Sequence, residues 1–186
     1  MTDASNAPPS PLPERIPMTN IGIISDTHGQ VGPTRKAREL FDEQGVSIVI
    51  HCGDIGSVEV IRIFEGVETH FVYGNMDGEN ESLRRAATET GNTFHGWYGT
   101  LECCDKKIFF LHGHQNGRFD AELHSEQWDM ICFGHTHCPT LQQFGRTLLV
   151  NPGALHRVSV AQVAVVRLPE LNVQNFALDD SFHFGA

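Results

Sequence analysis

Asp26-x-His28, Gly53-Asp54, Gly74-Asn75, His112-Gly113-His114 and Gly134-His135-x-His137 each follow a short apolar run. Asp26 and His28 stand at i and i+2, on one side of an extended chain, so both can reach a single ion. A hard carboxylate beside a borderline imidazole suits first-row divalent metals better than magnesium or calcium. Asn75 adds a neutral carboxamide oxygen. Taken singly, Gly-Asp is an ordinary helix cap, Gly-Asn an Asx turn, and a buried histidine a satisfied core residue. Apolar runs that all end in ligand chemistry do not fit packing alone. Glycine beside His112, His114 and His135 also lets the backbone turn the imidazoles towards a common point. The set predicts a binuclear metal site, with Asp54 as the carboxylate shared by the two ions.

Parallel strands are what would deliver these groups to one edge. Val46 to Ile50, after Gly45, is a β-branched run of the kind that forms a fully buried strand, and it releases Asp54 at its carboxyl end. In open α/β sheets that end is where ligands bind. Ile21–Ile24 and Phe71–Tyr73 are predicted strands on either side of it. Between them, a helix begins at Gly32-Pro33, with Ala37, Leu40 and Phe41 on one face, and ends at Gly45. Ser57 is predicted to cap a second helix with Val60, Ile61 and Phe64 inward and Gly66 closing it. Strand, helix, strand, helix, strand implies parallel pairing with right-handed crossovers. A helix is predicted over Glu81 to Ala87, and a weak one over 119–127. Further strands are expected at 93–104 and 107–111, turning at Asp105-Lys106, at 130–133, at 140–144 and 147–150, and near 158–168 and 171–178.

The chain of 186 residues suits one domain with a real core, and its 40% hydrophobic content is that of an ordinary globular protein. Residues 1–19 hold five of the nine prolines and almost no large apolar side chains, which predicts a disordered N-terminal tail before a single domain over 20–186. A formal charge of −10 excludes a broad nucleic-acid footprint. Bound divalent ions would reverse that sign locally, so a small anionic substrate fits. The five cysteines (52, 103, 104, 132 and 138) form no CxxC pair. An odd count with two adjacent members suggests a reducing compartment. With no signal-peptide core and no membrane-length apolar run, a cytoplasmic protein is expected.

In order and approximate spacing, the five motifs resemble those of the calcineurin-like metallophosphoesterases, over about residues 20 to 155. The nearest likeness is to the small single-domain prokaryotic phosphodiesterases. That resemblance implies an α/β fold, a four-layer αββα sandwich of two mixed β-sheets flanked by helices. It implies that Asp26, His28 and His137 hold one metal, that Asn75, His112 and His135 hold the other, and that Asp54 bridges them. Two divalent transition-metal ions are expected, manganese first, with nickel, zinc, iron or cobalt as alternatives. The implied reaction is hydrolysis of a small phosphodiester by a metal-bridging hydroxide, with Asp54 and Asn75 central to it. His114 is left to contact substrate or to support a ligand. Asn151-Pro152-Gly153 resembles a family turn after which an arginine often appears, which makes Arg157 a candidate phosphate contact.

One position departs from the family. Many members carry a histidine directly after the Gly-Asn as general acid, and here Met76 stands there. His51 or His114 could donate through a water instead. The alternatives are a non-catalytic interaction scaffold of the same fold and a phosphomonoesterase or nucleotidase. The intact ligand set argues against the first and Met76 against the second. A homo-oligomer is left open.

Overall fold

The computed structural model describes residues 18–178. The tail expected over residues 1–19 lies almost wholly outside them, and Thr19 already opens the first strand, β1 (Thr19–Ile24). The elements that follow in the first half are α1 (Val31–Glu43), β2 (Val46–His51), α2 (Val58–Ile63), β3 (Glu68–Phe71), α3 (Glu81–Glu89) and β4 (Thr93–Phe94). The second half contains β5 (Tyr98–Cys103), β6 (Lys106–Leu111), α4 (Asn116–His124), β7 (Met130–Cys132), β8 (Thr140–Phe144), β9 (Thr147–Asn151), β10 (Gln162–Leu168) and β11 (Asn172–Ala177).

Two mixed sheets result, a six-stranded one ordered β11-β10-β1-β2-β3-β4 and a five-stranded one ordered β5-β6-β7-β9-β8. β1, β2, β3 and β4 run parallel, as do β6, β7 and β9, so each sheet gathers several carboxyl ends on one edge.

Side-chain alternation explains the layering. Along β6, Ile108 and Phe110 face the other sheet, where they meet Ile21, Ile23, Ile50 and Val72. Phe109 and Leu111 face outwards and pack on Leu123 of α4. On the far side of the larger sheet, Ile24, Val49, Phe71 and Val163 meet Ala37, Phe41, Ile61 and Leu83 from α1, α2 and α3. Helices, sheet, sheet and helix therefore stack in four layers. Phe41 is 1% exposed and lies where a Cβ on Gly22 of β1 would come within 2.9 Å of its ring. Deleting such a ring costs about 3–5 kcal/mol, and a side chain at Gly22 would push the ring out.

Several elements differ from the sequence expectation. The run over 93–104 divides, because β4 pairs with β3 in one sheet and β5 with β6 in the other, with Gly96 at φ 88° between them. The β5–β6 turn is Cys104-Asp105, both left-handed (φ 51° and 59°), and Lys106 already belongs to β6. α4 begins at Asn116, earlier than 119, and Ser57 occupies the cap position of α2 without a capping side-chain hydrogen bond.

Candidate metal centre

The ligand-bearing loops all leave carboxyl ends of the parallel strands and are laced to one another. The His28 N–H donates to the Asp54 carbonyl at 2.9 Å and the Gly29 N–H to Ile55 at 2.8 Å, joining the β1 and β2 loops. The Gly134 N–H donates to His112 O at 3.0 Å, joining those after β6 and β7. His112 Nδ1 lies 2.8 Å from Cys52 O, which ties one sheet to the other.

Each acidic side chain has one oxygen anchored and one aimed inwards. Asp26 Oδ2 accepts from Ser25 Oγ at 2.6 Å and from the His135 N–H at 3.1 Å. Asp26 Oδ1 is buried without a hydrogen-bond partner, although His137 Nε2 lies at 3.1 Å, His28 Nε2 at 3.9 Å and His112 Nε2 at 4.0 Å. Asp54 Oδ1 accepts the Met76 N–H at 2.8 Å, while Oδ2 faces His112 Nε2 at 3.4 Å and His28 Nε2 at 3.5 Å. His28 Nε2 is likewise buried and unpartnered.

The tautomer of His112 sharpens the picture. A carbonyl only accepts, so Nδ1 carries the proton towards Cys52 O and Nε2 presents a lone pair. That lone pair meets Asp54 Oδ2 and, at 3.0 Å, Asn75 Oδ1. Flipping the amide would relieve the Asn75 contact and leave the Asp54 one. Lone pairs converging on one point call for a cation there. A proton on Nε2 can stand in for that cation, and the ionisations show the same pull for positive charge. Burial would lower the His112 pKa, but the Asp54 hydrogen bond and the charges of Asp26 and Asp54 hold it above its ordinary value. Burial would raise Asp54, but its bonds to His112 and Met76 and the nearby imidazoles hold it below the usual carboxylate range.

Asp26, His28 and His137 offer ligand atoms all within 4.8 Å of one another, and so do Asp26, Asp54 and His112. This donor set of carboxylates and imidazoles fits a divalent cation. His135 joins neither cluster and packs its ring on His112, with centroids 5.1 Å apart. Backbone geometry is unusual at five of these residues, since Asp26, His28, Asp54, His135 and His137 all lie at positive φ, between 45° and 68°. Left-handed backbone turns the chain sharply straight after the strand, and it is strained for residues other than glycine.

A cleft of about 290 Å³ opens over the site, lined by His28, Asp54, Asn75, Met76, His135, His137, His156 and Arg157. Arg157 is thus at the cleft, exposed and at φ 55°. His114 is not among the lining residues; its ring lies tilted against Trp97 and His112, with centroids 5.6 Å and 5.5 Å away, and its Nδ1 is buried and unpartnered. His51 cannot serve as an acid. It is fully buried, Nδ1 accepts the Gly53 N–H at 3.2 Å, and Nε2 lies 3.0 Å from Thr27 Oγ1. Burial, then the His112 charge, pulls its pKa down to about 3.

Sequence reasoning missed the supporting residues. Ser25, Thr27 and Asp77 orient the acidic loops, and His156 faces the cleft. Their nearness in sequence to the motifs was the available signal, since His156 precedes Arg157 and Asp77 follows Asn75 by two.

The family model for the calcineurin-like phosphoesterase superfamily domain matches residues 19–171. A phosphodiesterase of Methanocaldococcus jannaschii is 35% identical over 136 residues, which span 72% of this chain and 82% of that protein. A solved structure of an archaeal phosphodiesterase superposes with a TM-score of 0.80 at 30% identity, covering 86% of this chain and 99% of the other. Vacuolar protein sorting 29 of Cryptosporidium parvum, at 17% identity and a TM-score of 0.64 over 86% and 96% of the two chains, shares the fold alone. Sequence, architecture and converging ligands agree, and the chain belongs to the calcineurin-like phosphoesterase superfamily, a phosphoric-ester hydrolase by kinship.

Proposed function

We propose that this protein is a phosphodiesterase working with two divalent transition-metal ions, manganese first among them. Asp26, His28 and His137 would hold one ion, Asn75, His112 and His135 the other, and Asp54 would serve both. The observation that carries the reading is the pair of carboxylates with one oxygen fixed by the protein and the other turned to imidazole lone pairs.

When bound, such ions supply Lewis acidity towards the phosphoryl oxygens and an activated water as nucleophile. The chain's own residues do the positioning. Ser25 and the His135 N–H hold Asp26, the Met76 N–H holds Asp54, and the Cys52 carbonyl holds His112. Arg157 at the cleft mouth supplies positive charge for an anionic ester. Met76, 69% exposed beside Asn75, gives no proton to a leaving group, which favours diesters with good leaving groups over monoesters.

The relative and the solved structure named as phosphodiesterases support the substrate class. Five cysteines with no disulfide among the described residues support a cytoplasmic setting, and no described helix is long and apolar enough to cross a membrane. The test is metal analysis of the purified protein beside hydrolysis of a diester and a monoester with manganese, nickel, zinc or magnesium added. Two ions per chain and preferential diester turnover are expected. In Asp54→Asn both ions and turnover should be lost, and retention of both ions would overturn the assignment.

A further inference from the structure

His156 reaches the cleft from the His28 side. Its ring packs on that of His28 with centroids 5.0 Å apart at 48°, and it lines the same cavity as Asp54, Asn75 and Arg157. It belongs to neither cluster of close-lying ligand atoms. Its loop is fixed on both sides. The Leu155 N–H donates to Asp26 O at 3.2 Å, and Ala154 O accepts the Gln162 N–H at 3.3 Å. Upstream, the Asn151 amide donates to Gly134 O at 2.9 Å and lies 3.1 Å from Thr136 Oγ1, inside the segment that carries His135 and His137. An imidazole carried on a loop anchored beside the metal centre, yet outside both ligand clusters, is placed to touch what the centre acts on.

We infer that His156 is a substrate-contacting residue that donates an imidazole N–H to a non-bridging oxygen of the bound phosphate ester. This rests on the phosphodiesterase reading above. A neutral imidazole keeps one N–H donor in either tautomer, and phosphate oxygens accept strongly. The contact needs no change in protonation. Arg157, next in sequence and exposed at the same mouth, adds charge on that side. Met76 lines the same cleft from the loop after β3, where its own N–H is spent on Asp54. The cleft lining therefore combines hydrogen-bond donors for the phosphoryl group with an exposed thioether.

The test uses the full chain loaded with manganese, with His156→Ala and His156→Gln compared to wild type. Four quantities are read: metal content, thermal midpoint, affinity for inorganic phosphate by calorimetry, and KM and kcat on an aryl diester. His156→Ala should keep its ions and its midpoint while binding phosphate about 10–100-fold more weakly, the range for a hydrogen bond to a charged group. KM should rise with it. His156→Gln should recover part of the loss, because its amide also donates an N–H. Unchanged phosphate affinity in His156→Ala overturns the inference. So does loss of a metal ion, which would make His156 a ligand, or a fallen midpoint without rescue by glutamine, which would make it structural. If wild type binds metal and phosphate through His156 but hydrolyses no diester, the contact stands and the diesterase reading falls.

Discussion

Asp77 Oδ2 accepts the backbone N–H of Ile55 at 3.0 Å, so the loop that presents Asn75 is fastened to the loop that presents Asp54. The same carboxylate takes the N–H of Gly74 at 2.8 Å and that of Gly56 at 2.9 Å. Asp77→Ala would strand the two buried donors, Ile55 and Gly74, at about 1–3 kcal/mol each, while exposed Gly56 can turn to water. A loss of at least about 2 kcal/mol is expected, together with weaker ion retention. Chemical denaturation with and without added manganese checks both, and a loss confined to stability would separate the clamp from the site.

Gly74 and Gly134 are required by close approach. A Cβ on Gly74 would overlap the Asp54 carboxylate, and one on Gly134 would overlap Ser25 Oγ and Asp26 Oδ2. Gly74→Ala and Gly134→Ala should each displace the acidic side chain they touch, with activity or metal affinity falling by about 10–100-fold or more. Titration of manganese into each variant is the measurement.

Met76 leads to a prediction about leaving groups. A general acid contributes about 10²–10⁴-fold, most where the departing oxygen is a poor leaving group. Wild-type rates should therefore fall steeply as the leaving-group pKa rises from aryl to alkyl diesters. Met76→His should narrow that gap by accelerating alkyl esters. A flat wild-type dependence, with chemistry rate-limiting, would show that another residue already supplies the proton.

His95 gives a pH dependence remote from the metal centre. Its Nε2 lies 2.9 Å from His70 Nδ1, and burial followed by the His70 charge lowers its pKa from 6.5 to about 4. Between those values the unfolded chain binds a proton that the native one refuses. The contribution of His95 to stability is then complete above pH about 6.5 and lost as pH falls towards about 4. Denaturation midpoints across that window should drop more steeply in wild type than in His95→Gln.

Much of this was legible in the sequence because period-two alternation and strand-end motifs report local physics. Alternation puts Ile108 and Phe110 on one face of β6 and Phe109 and Leu111 on the other, although an all-apolar run does not say which face meets the second sheet. The division at Gly96 was not legible, because a run of extended residues carries no mark of which sheet each half will join. The family resemblance groups Asp26, His28 and His137, and the structure brings their ligand atoms together on left-handed backbone rather than on the extended chain that the i, i+2 spacing implies. The role of His51 was not legible either, because whether an imidazole is spent on Thr27 or open to the cleft depends on a residue 24 positions away. Asp77 and His156 stayed hidden for a related reason. An Asx turn and a loop histidine look ordinary until their backbone partners are in place.

Asp26, His28, Asp54, His135 and His137 hold positive φ, a conformation that glycine adopts without the strain it brings to a side-chain-bearing residue. Ligating a metal would restrain these positions against a local preference for glycine. A lineage that kept the fold but stopped cleaving esters would lose that restraint, and glycine should accumulate at these five places before the cores change. Their residue types would then tell living enzymes from retired ones on this scaffold.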